Sequence, residues 1–574
     1  MLYRARIRIG RAVSWADVLL LVGLMAFVYA LIGVVHEWTS PFRAKTEIDL
    51  SLGALLKYSF LSLIRVVAAY GLSLAFTLSY GYWAAKSKRA EPWLISLLDI
   101  LQSVPVLGFM PGLVLALVRI FPHSNVGLEL AAIIMIFTGQ GWNMVFSFYT
   151  SLKSVPADIK DLCRHFRLSR WDVLKRVEVP FAANGLIWNS MVSMAGGWFF
   201  LMVIESFQLG EQDFRLPGIG SYMAVAYEQG NMPAVFSGIV MMFFLIIMVD
   251  RVVWAPLVAW SDRFKGDRDS ATHARSLVLE WLNRSVLMRN LQEAFDSWRK
   301  TRLKAEDERR RQARSVAPPP RISPVVLEVL RWAFVVVGGV VLGFGFRSML
   351  SLLAASELSD WMLNIRDTAL TLFRVTATVI LGAAWTIPVG VFIGTHPRYF
   401  RWLQPLVQIV ASFPAPMLFP VLTSIFLRVG MGLETGSVLL MLFASQWYIL
   451  FNVISGASLI PSDMLEVADV FRVRGFQLWK SIILPAIFPS LLNGLITAAG
   501  GAWNACIVSE YLVVKGKILA ATGIGASITQ AAQRGDYSGL AGGVLVMVLT
   551  VVLINRFFWG SLYRMAETRF RLES

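Results

Sequence analysis

Val235-Phe-Ser-Gly-Ile-Val-Met-Met-Phe-Phe-Leu-Ile-Ile-Met-Val249 carries no charge from end to end, and Asp250, Arg251 and Trp254 follow it. Apolar runs near twenty residues recur along the chain, Ala16 to Val35 among them. As helices, runs of that length cross a hydrocarbon core about 30 Å thick, and a helix satisfies its own backbone in lipid. The alternating short strands of a membrane barrel are not seen. Of the 574 residues, 56% are hydrophobic and 16% charged, where a soluble protein carries about 25% charged residues.

The net charge of +16 does not argue for nucleic acid, because basic residues in a multi-span protein mark cytoplasmic loops. Cys163 lies in a basic loop and Cys506 in an apolar run, which argues against a disulfide or a metal site. Arg4, Arg6, Arg8 and Arg11 precede a long apolar stretch, the pattern of an uncleaved signal anchor.

Twelve spans are predicted. They lie near 17–36, 57–85, 93–120, 127–151, 184–207 and 234–259, then 325–347, 366–395, 402–428, 436–457, 491–514 and 537–562. With both termini cytoplasmic, the inner loops are the basic ones. They hold Lys86, Lys88 and Arg89; Lys153 to Arg176; Arg398 and Arg401; Arg472 to Lys480; and Arg564, Arg569 and Arg571. The outer loops, such as Glu37 to Asp49 and Glu211 to Glu228, are mixed; Lys515, Lys517 and Arg534 run weakly against the rule. The expected organisation is a first half over 1–261, a basic cytoplasmic linker over 262–322 and a second half over 323–574. Leu277, Leu282, Leu287, Leu291, Phe295 and Trp298 give the linker an amphipathic helical pattern suited to resting on a membrane or on the protein.

The halves repeat each other. Pro180 and Pro485 stand 305 positions apart, as do Trp142 and Trp447, Pro156 and Pro461, Trp198 and Trp503, Glu205 and Glu510, Arg251 and Arg556, and Trp254 and Trp559. Gly218-Ile219-Gly220 recurs as Gly523-Ile524-Gly525. Upstream the offset becomes 309, pairing Arg65 with Arg374, Pro105 with Pro414 and Pro111 with Pro420. Two parallel six-helix repeats related by an axis along the membrane normal offer a transport path between them. The fold class is therefore all-α, a polytopic membrane protein.

Each half also has a long amphipathic loop between its fourth and fifth spans. One runs from Pro156 to Pro180 and the other from Pro461 to Pro485. Each reads as a prolyl start, a short helix, a break, and a second helix ending in an aliphatic residue and Pro. A helix pair with an apolar edge is the form a helix-in-groove contact takes.

These loops resemble the EAA loop of permeases from ATP-binding-cassette importers. That pattern is Glu-Ala-Ala, a Gly three residues on, and Leu-Pro near twenty. Glu466, Ala468, Leu484 and Pro485 match it; in the first copy Asp161, Cys163 and Val179-Pro180 stand at those places. Glu followed by Gly-Ile-Gly in both halves looks most like the nitrate/sulfonate/bicarbonate (taurine-type) subgroup, here with two permease chains fused. Arg167 and Arg472 occupy the family's Gly position. Gly permits a positive φ there, so Arg implies a different break geometry or a longer first helix, with Gly475 offering a later break in the second copy.

The resemblance implies a bacterial inner-membrane importer in which each loop seats on one of two ATPase subunits. ATP and Mg would bind on those subunits, since the chain has no phosphate loop of its own. A periplasmic or surface solute-binding protein would deliver a small polar solute, such as nitrate, bicarbonate or a sulfonate. The chain itself would be a permease and not an enzyme, binding no cofactor. The rival is a twelve-helix secondary active transporter, which would need its own ion coupling.

Polar groups inside spans are the candidates for the path. Gln102, Ser103 and Ser412 sit beside Pro105 and Pro414 at helix breaks, where freed carbonyls line cavities. Trp142, Asn143, Gln446, Trp447, Trp503 and Asn504 combine rings with hydrogen-bonding groups. Glu205 and Glu510 are read either as a gate or as caps of the Gly-Ile-Gly turn. Arg65 and Arg374 are read as helix-end anchors that snorkel. Small-residue spacings such as Gly390 and Gly394 are read as helix packing.

Overall fold

The computed structural model describes residues 46–166, 168–209, 212–261, 347–514 and 517–569, with scattered positions between 25 and 41 and between 290 and 345. The spans expected at 17–36 and 325–347 and the linker helix lie almost wholly outside the described residues.

Among the described residues, eight helices are long and apolar enough to cross a membrane. In the first half these are α1 (Leu52–Lys86), α4 (Val126–Lys153), α6 (Arg170–Ile204) and α8 (Met232–Ser261). Between them lie α2 (Glu91–Ser103), α3 (Val106–Ile120), α5 (Ala157–His165) and α7 (Ile219–Glu228). The second half follows the same order: α9 (Leu358–Thr395), α10 (Pro397–Ala411), α11 (Phe419–Arg428), α12 (Leu433–Ser458), α13 (Ser462–Val470), α14 (Gly475–Ser509), α15 (Ile524–Arg534) and α16 (Tyr537–Ala566). Local chemistry repeats with the sequence. Asn231 caps α8 by accepting from the Ala234 N–H at 3.1 Å, and 305 positions on Asp536 caps α16 by accepting from the Gly539 N–H at 2.9 Å. Such caps satisfy donors that the helix itself leaves unpaired.

The third span of each half breaks at the proline where the sequence placed a helix break, while two other expectations are corrected. Val104 and Pro105 are extended between α2 and α3, and Pro414 is extended before a 3₁₀ turn, Ala415–Met417, and α11. Proline biases its preceding residue away from the helical region and supplies no N–H. The fifth spans do not reach 207 and 514. After Glu205 and Glu510 the chain turns into two antiparallel hairpins, β1 (Ser206–Leu209) with β2 (Gln212–Arg215) and β3 (Tyr511–Val514) with β4 (Lys517–Ala520). Finally, the loop helices do not end at Pro180 and Pro485. α6 and α14 run through both prolines, each widening into a π turn just before, at Leu174–Glu178 and Trp479–Ile483. A wider turn takes up the clash of a proline ring with the preceding carbonyls.

In each half the fourth helix packs between the second and fifth, α4 against α1 and α6, and α12 against α9 and α14. Gly394 shows how closely: a Cβ there would lie 2.7 Å from the Ile454 carbonyl oxygen. One apolar core runs through both halves, joining Met191, Trp198 and Met242 to Phe413, Met441 and Trp503.

Candidate functional site

Where the fifth helix of each half meets its hairpin, the two halves build the same buried ionic cluster. Arg65 on α1 donates Nε and Nη2 to the two oxygens of Glu129 on α4, both at 2.6 Å. Its Nη1 reaches Glu205 at 2.7 Å and the Pro217 carbonyl at 3.0 Å. Ser62 donates to Glu205 at 2.6 Å and accepts from the Ile219 N–H at 2.9 Å, while the Gly220 N–H donates to Glu205 at 2.7 Å. The second half repeats the arrangement, except that Arg374 Nε donates to the Glu434 backbone carbonyl at 3.2 Å instead of its carboxylate. Arg374 meets Glu510 at 2.9 Å, the Thr522 carbonyl at 2.8 Å and Glu434. Thr371 and the Gly525 N–H hold Glu510 at 2.8 and 2.9 Å.

Glu205 and Glu510 thus cap the Gly-Ile-Gly turns, and both are fully buried. Only Gly fits at the turn itself: a Cβ on Gly525 would lie 2.5 Å from the Cys506 carbonyl oxygen. The reading of Arg65 and Arg374 as snorkelling anchors is corrected. Arg65 is fully buried and Arg374 nearly so, because each is drawn inward by two carboxylates, which a buried charge requires. The clusters differ in depth, since the Glu129 side chain is 1% exposed and that of Glu434 57%.

At the opposite end of α6 and α14 lie the two amphipathic loops. Asp161 and Glu466 are exposed on α5 and α13, whereas Cys163 and Ala468 are buried beneath them. Each short helix closes with the same bond, from the Leu168 N–H to the Cys163 carbonyl at 3.0 Å and from the Val473 N–H to the Ala468 carbonyl at 2.8 Å. In the second copy this is a left-handed C-terminal cap. Arg472 supplies it with a φ of 55°, and Gly475 adds a second left-handed residue at 57°. The expectation that Arg472 would force another break geometry is therefore corrected: the arginine adopts the glycine conformation, alone among the described non-glycine residues. Arg167 lies outside the described residues. Pro180 and Pro485 are half-buried within their helices.

Around these loops apolar side chains face outward. The first exposes Leu162, Phe166 and Trp171; the second exposes Val467, Val470, Phe471 and Phe476. Lys175 covers the Trp171 ring at 4.4 Å. Near the first loop, Glu91 accepts from Lys153 and Tyr149, which holds its carboxyl below the ordinary range.

The path candidates divide. Asn504 joins the halves, its Oδ1 accepting from the Val106 N–H at 2.7 Å. Ser412 lines a small cavity between the halves with Gln408, Asp250, Trp198 and Trp254. Gln102 is half-buried beside the same helix break as Val106, while the side chain of Ser103 lies outside the described residues. Trp142 packs edge-on against Phe76 and Phe137 of its own half, with Asn143 half-buried beside it. Gln446 accepts from Trp385 at 3.0 Å, Trp447 donates to its own helix at Phe443, and Trp503 is core. Sequence reasoning missed Glu129 and Glu434, Ser62 and Thr371, and Tyr227, whose hydroxyl donates to the Met417 carbonyl of the other half at 2.9 Å. The fixed offset was signal enough for the two glutamates, which stand 305 positions apart.

Comparison with known proteins agrees with this duplication. The family described as binding-protein-dependent transport system inner membrane component matches twice, over residues 77–254 and 386–571. Among curated relatives, the glycine betaine/proline betaine transport system permease protein ProW of Escherichia coli is 24% identical over 41% of this chain and 61% of its own length. The nitrate import permease protein NrtB of Leptolyngbya laminosa is 26% identical over 33% of this chain and 63% of its own. The bicarbonate transport system permease protein CmpB of Synechocystis is 28% identical over 33% and 65%. The chain thus spans less than two thirds of the length of these relatives. A solved inward-facing form of the MetNI methionine ABC transporter is similar at 21% identity and a TM-score of 0.32, over 37% of this chain and 99% of that one.

Proposed function

Because the chain belongs to the family of binding-protein-dependent transport system inner membrane components, we propose that it is the permease of an ATP-driven importer, with both halves of its path in one polypeptide. The carrying observation is the pair of amphipathic loops, capped by the same backbone bond at equivalent places and exposing apolar side chains. An exposed apolar edge of that kind is suited to a groove on a partner. On this reading each loop seats on one of two ATPase subunits, which carry ATP and Mg. Closure of the ATPases moves the loops, and the loops rock the halves.

A solute-binding protein presents the solute at the opposite face, where the Arg–Glu clusters lie. The solute is small and polar, with nitrate, bicarbonate or a sulfonate the first candidates. The membrane is a bacterial inner membrane, with both termini and both loops cytoplasmic; the basic residues around the loops support that orientation. Reconstitution tests the reading. Glu466→Lys should abolish ATP-dependent uptake while leaving membrane insertion normal. Proton-driven transport by the chain without any ATPase would replace the importer with a secondary transporter.

A further inference from the structure

The two feet of the first loop are held by charge. Lys153 at the end of α4 pairs with Glu91 at 2.7 Å, and Tyr149 donates to the same carboxylate. On the far side of the loop, Glu178 in α6 pairs with Lys86 at the end of α1. The side chain of Glu178 is 3% exposed, and its second oxygen, Oε2, has no hydrogen-bond partner among the described residues. Lys86 and Glu91 flank the short turn between α1 and α2, so one turn grips both feet of the loop. Lys86 and Lys153 also lie 5.7 Å from the rings of Tyr82 and Tyr149.

The second half keeps the arrangement and removes the charges. Thr395, Phe400, Ser458 and Ile483 stand at the positions of Lys86, Glu91, Lys153 and Glu178, and Ile454 stands at that of Tyr149. Phe400 packs on a buried group containing Ile454, and Ile483 is buried with Val391 and Ile487. At the Glu91 and Glu178 positions the second half thus packs apolar side chains, and apolar burial has no preferred direction and is not screened by salt.

We propose that Lys86, Glu91, Lys153 and Glu178 are positioning residues forming an ionic clamp on the first loop, so that this loop moves as one body with the α1–α2 turn while the second loop slides on an apolar seat. The loop's role as a coupling element rests on the importer reading; the clamp itself does not. Ion pairs with a buried member fix a geometry, and losing one partner leaves a charge uncompensated.

Cys163 is a native reporter, buried on α5 between the two feet, and Cys506 is fully buried in α14. The experiment uses the full chain in nanodiscs, with Cys506→Ser and a water-soluble maleimide as probe. Lys86→Met, which strands the buried Glu178, is expected to raise the labelling rate of Cys163 about tenfold, and Glu91→Gln, which breaks the more exposed pair with Lys153, about two- to fivefold. The reversed pair Lys86→Glu with Glu178→Lys should return the rate to within about twofold of the parent, which a merely steric role would not produce. Raising KCl from about 0.1 to about 1 M should speed labelling of the parent more than that of Glu91→Gln, and Phe400→Ala should leave Cys163 unchanged. Unaltered labelling in Lys86→Met and Glu91→Gln, or failure of the reversed pair to rescue, overturns the clamp. No ATPase is present in this assay. A chain that shows the pattern yet never captures an ATPase would refute the importer reading and keep the clamp.

Discussion

A guanidinium buried inside a protein survives only where its charge is paired and hydrogen-bonded, and Arg65 shows how. Two parallel bonds to Glu129, one to Glu205 and one to the Pro217 carbonyl use most of its donors. A lysine cannot reproduce the planar fork, so Arg65→Lys should fail almost as badly as Arg65→Met. Removing the cation strands two carboxylates that are essentially unexposed. The expected loss of stability is about 3–5 kcal/mol, read as thermal unfolding of the purified chain in detergent. Arg374→Met should cost visibly less, about 1–3 kcal/mol, because Glu434 already reaches solvent. Equal losses at the two sites would show that the depth of the cluster does not set its worth.

At the level of elements, proline placed the breaks and the neighbours chose what to do with them. Pro105 opens the third span of the first half, leaving the first turn of α3 with unpaired N–H groups. Asn504 of the other half accepts from one of them, at Val106. Asn504→Ala should therefore cost about 1 kcal/mol, as loss of a helix N-terminal acceptor does. Amide exchange at residues 106–109 should quicken correspondingly, while Asn504→Asp keeps an acceptor and should not show it. Unchanged exchange in the alanine variant would remove Asn504 as a tie between the halves.

What was legible in the sequence follows the same division. Spans α1, α4, α8, α9, α12 and α16 could be read because apolar length is set by the bilayer alone. The repeat offset gave the equivalence of Glu205 with Glu510. The continuity of α6 and α14 through Pro180 and Pro485 was hidden, because a π turn leaves no pattern in the residues. The burial of Arg65 was hidden as well, since it depends on Glu129, which is 64 positions away in the chain. Arg472 was misjudged for a related reason: propensity disfavours an arginine at φ 55°, but the cap bond from Val473 to Ala468 fixes the backbone there.

Across the whole molecule the duplication is close in backbone and unequal in surface. The turns, caps and ionic clusters repeat, yet the loops present different faces. The second exposes Val467, Val470, Phe471 and Phe476, the last at 82%. The first offers Leu162, Phe166 and Trp171, with Lys175 over the indole and the Arg164–Asp161 pair beside them. If both loops seat on ATPase subunits, the second does so mainly by apolar burial and the first with a larger charged share. Burying an exposed phenylalanine is worth about 1.5–3 kcal/mol. Phe476→Asp should therefore weaken capture of the ATPase by at least about tenfold at any salt concentration. Trp171→Ala should weaken it less, and the remaining affinity should fall as salt rises, since exposed charges are screened over about 8 Å at physiological ionic strength. Titrating the reconstituted permease with its ATPase at low and high KCl separates the two loops. Identical salt responses of the two variants would mean that the loops bind alike, despite the surfaces they expose.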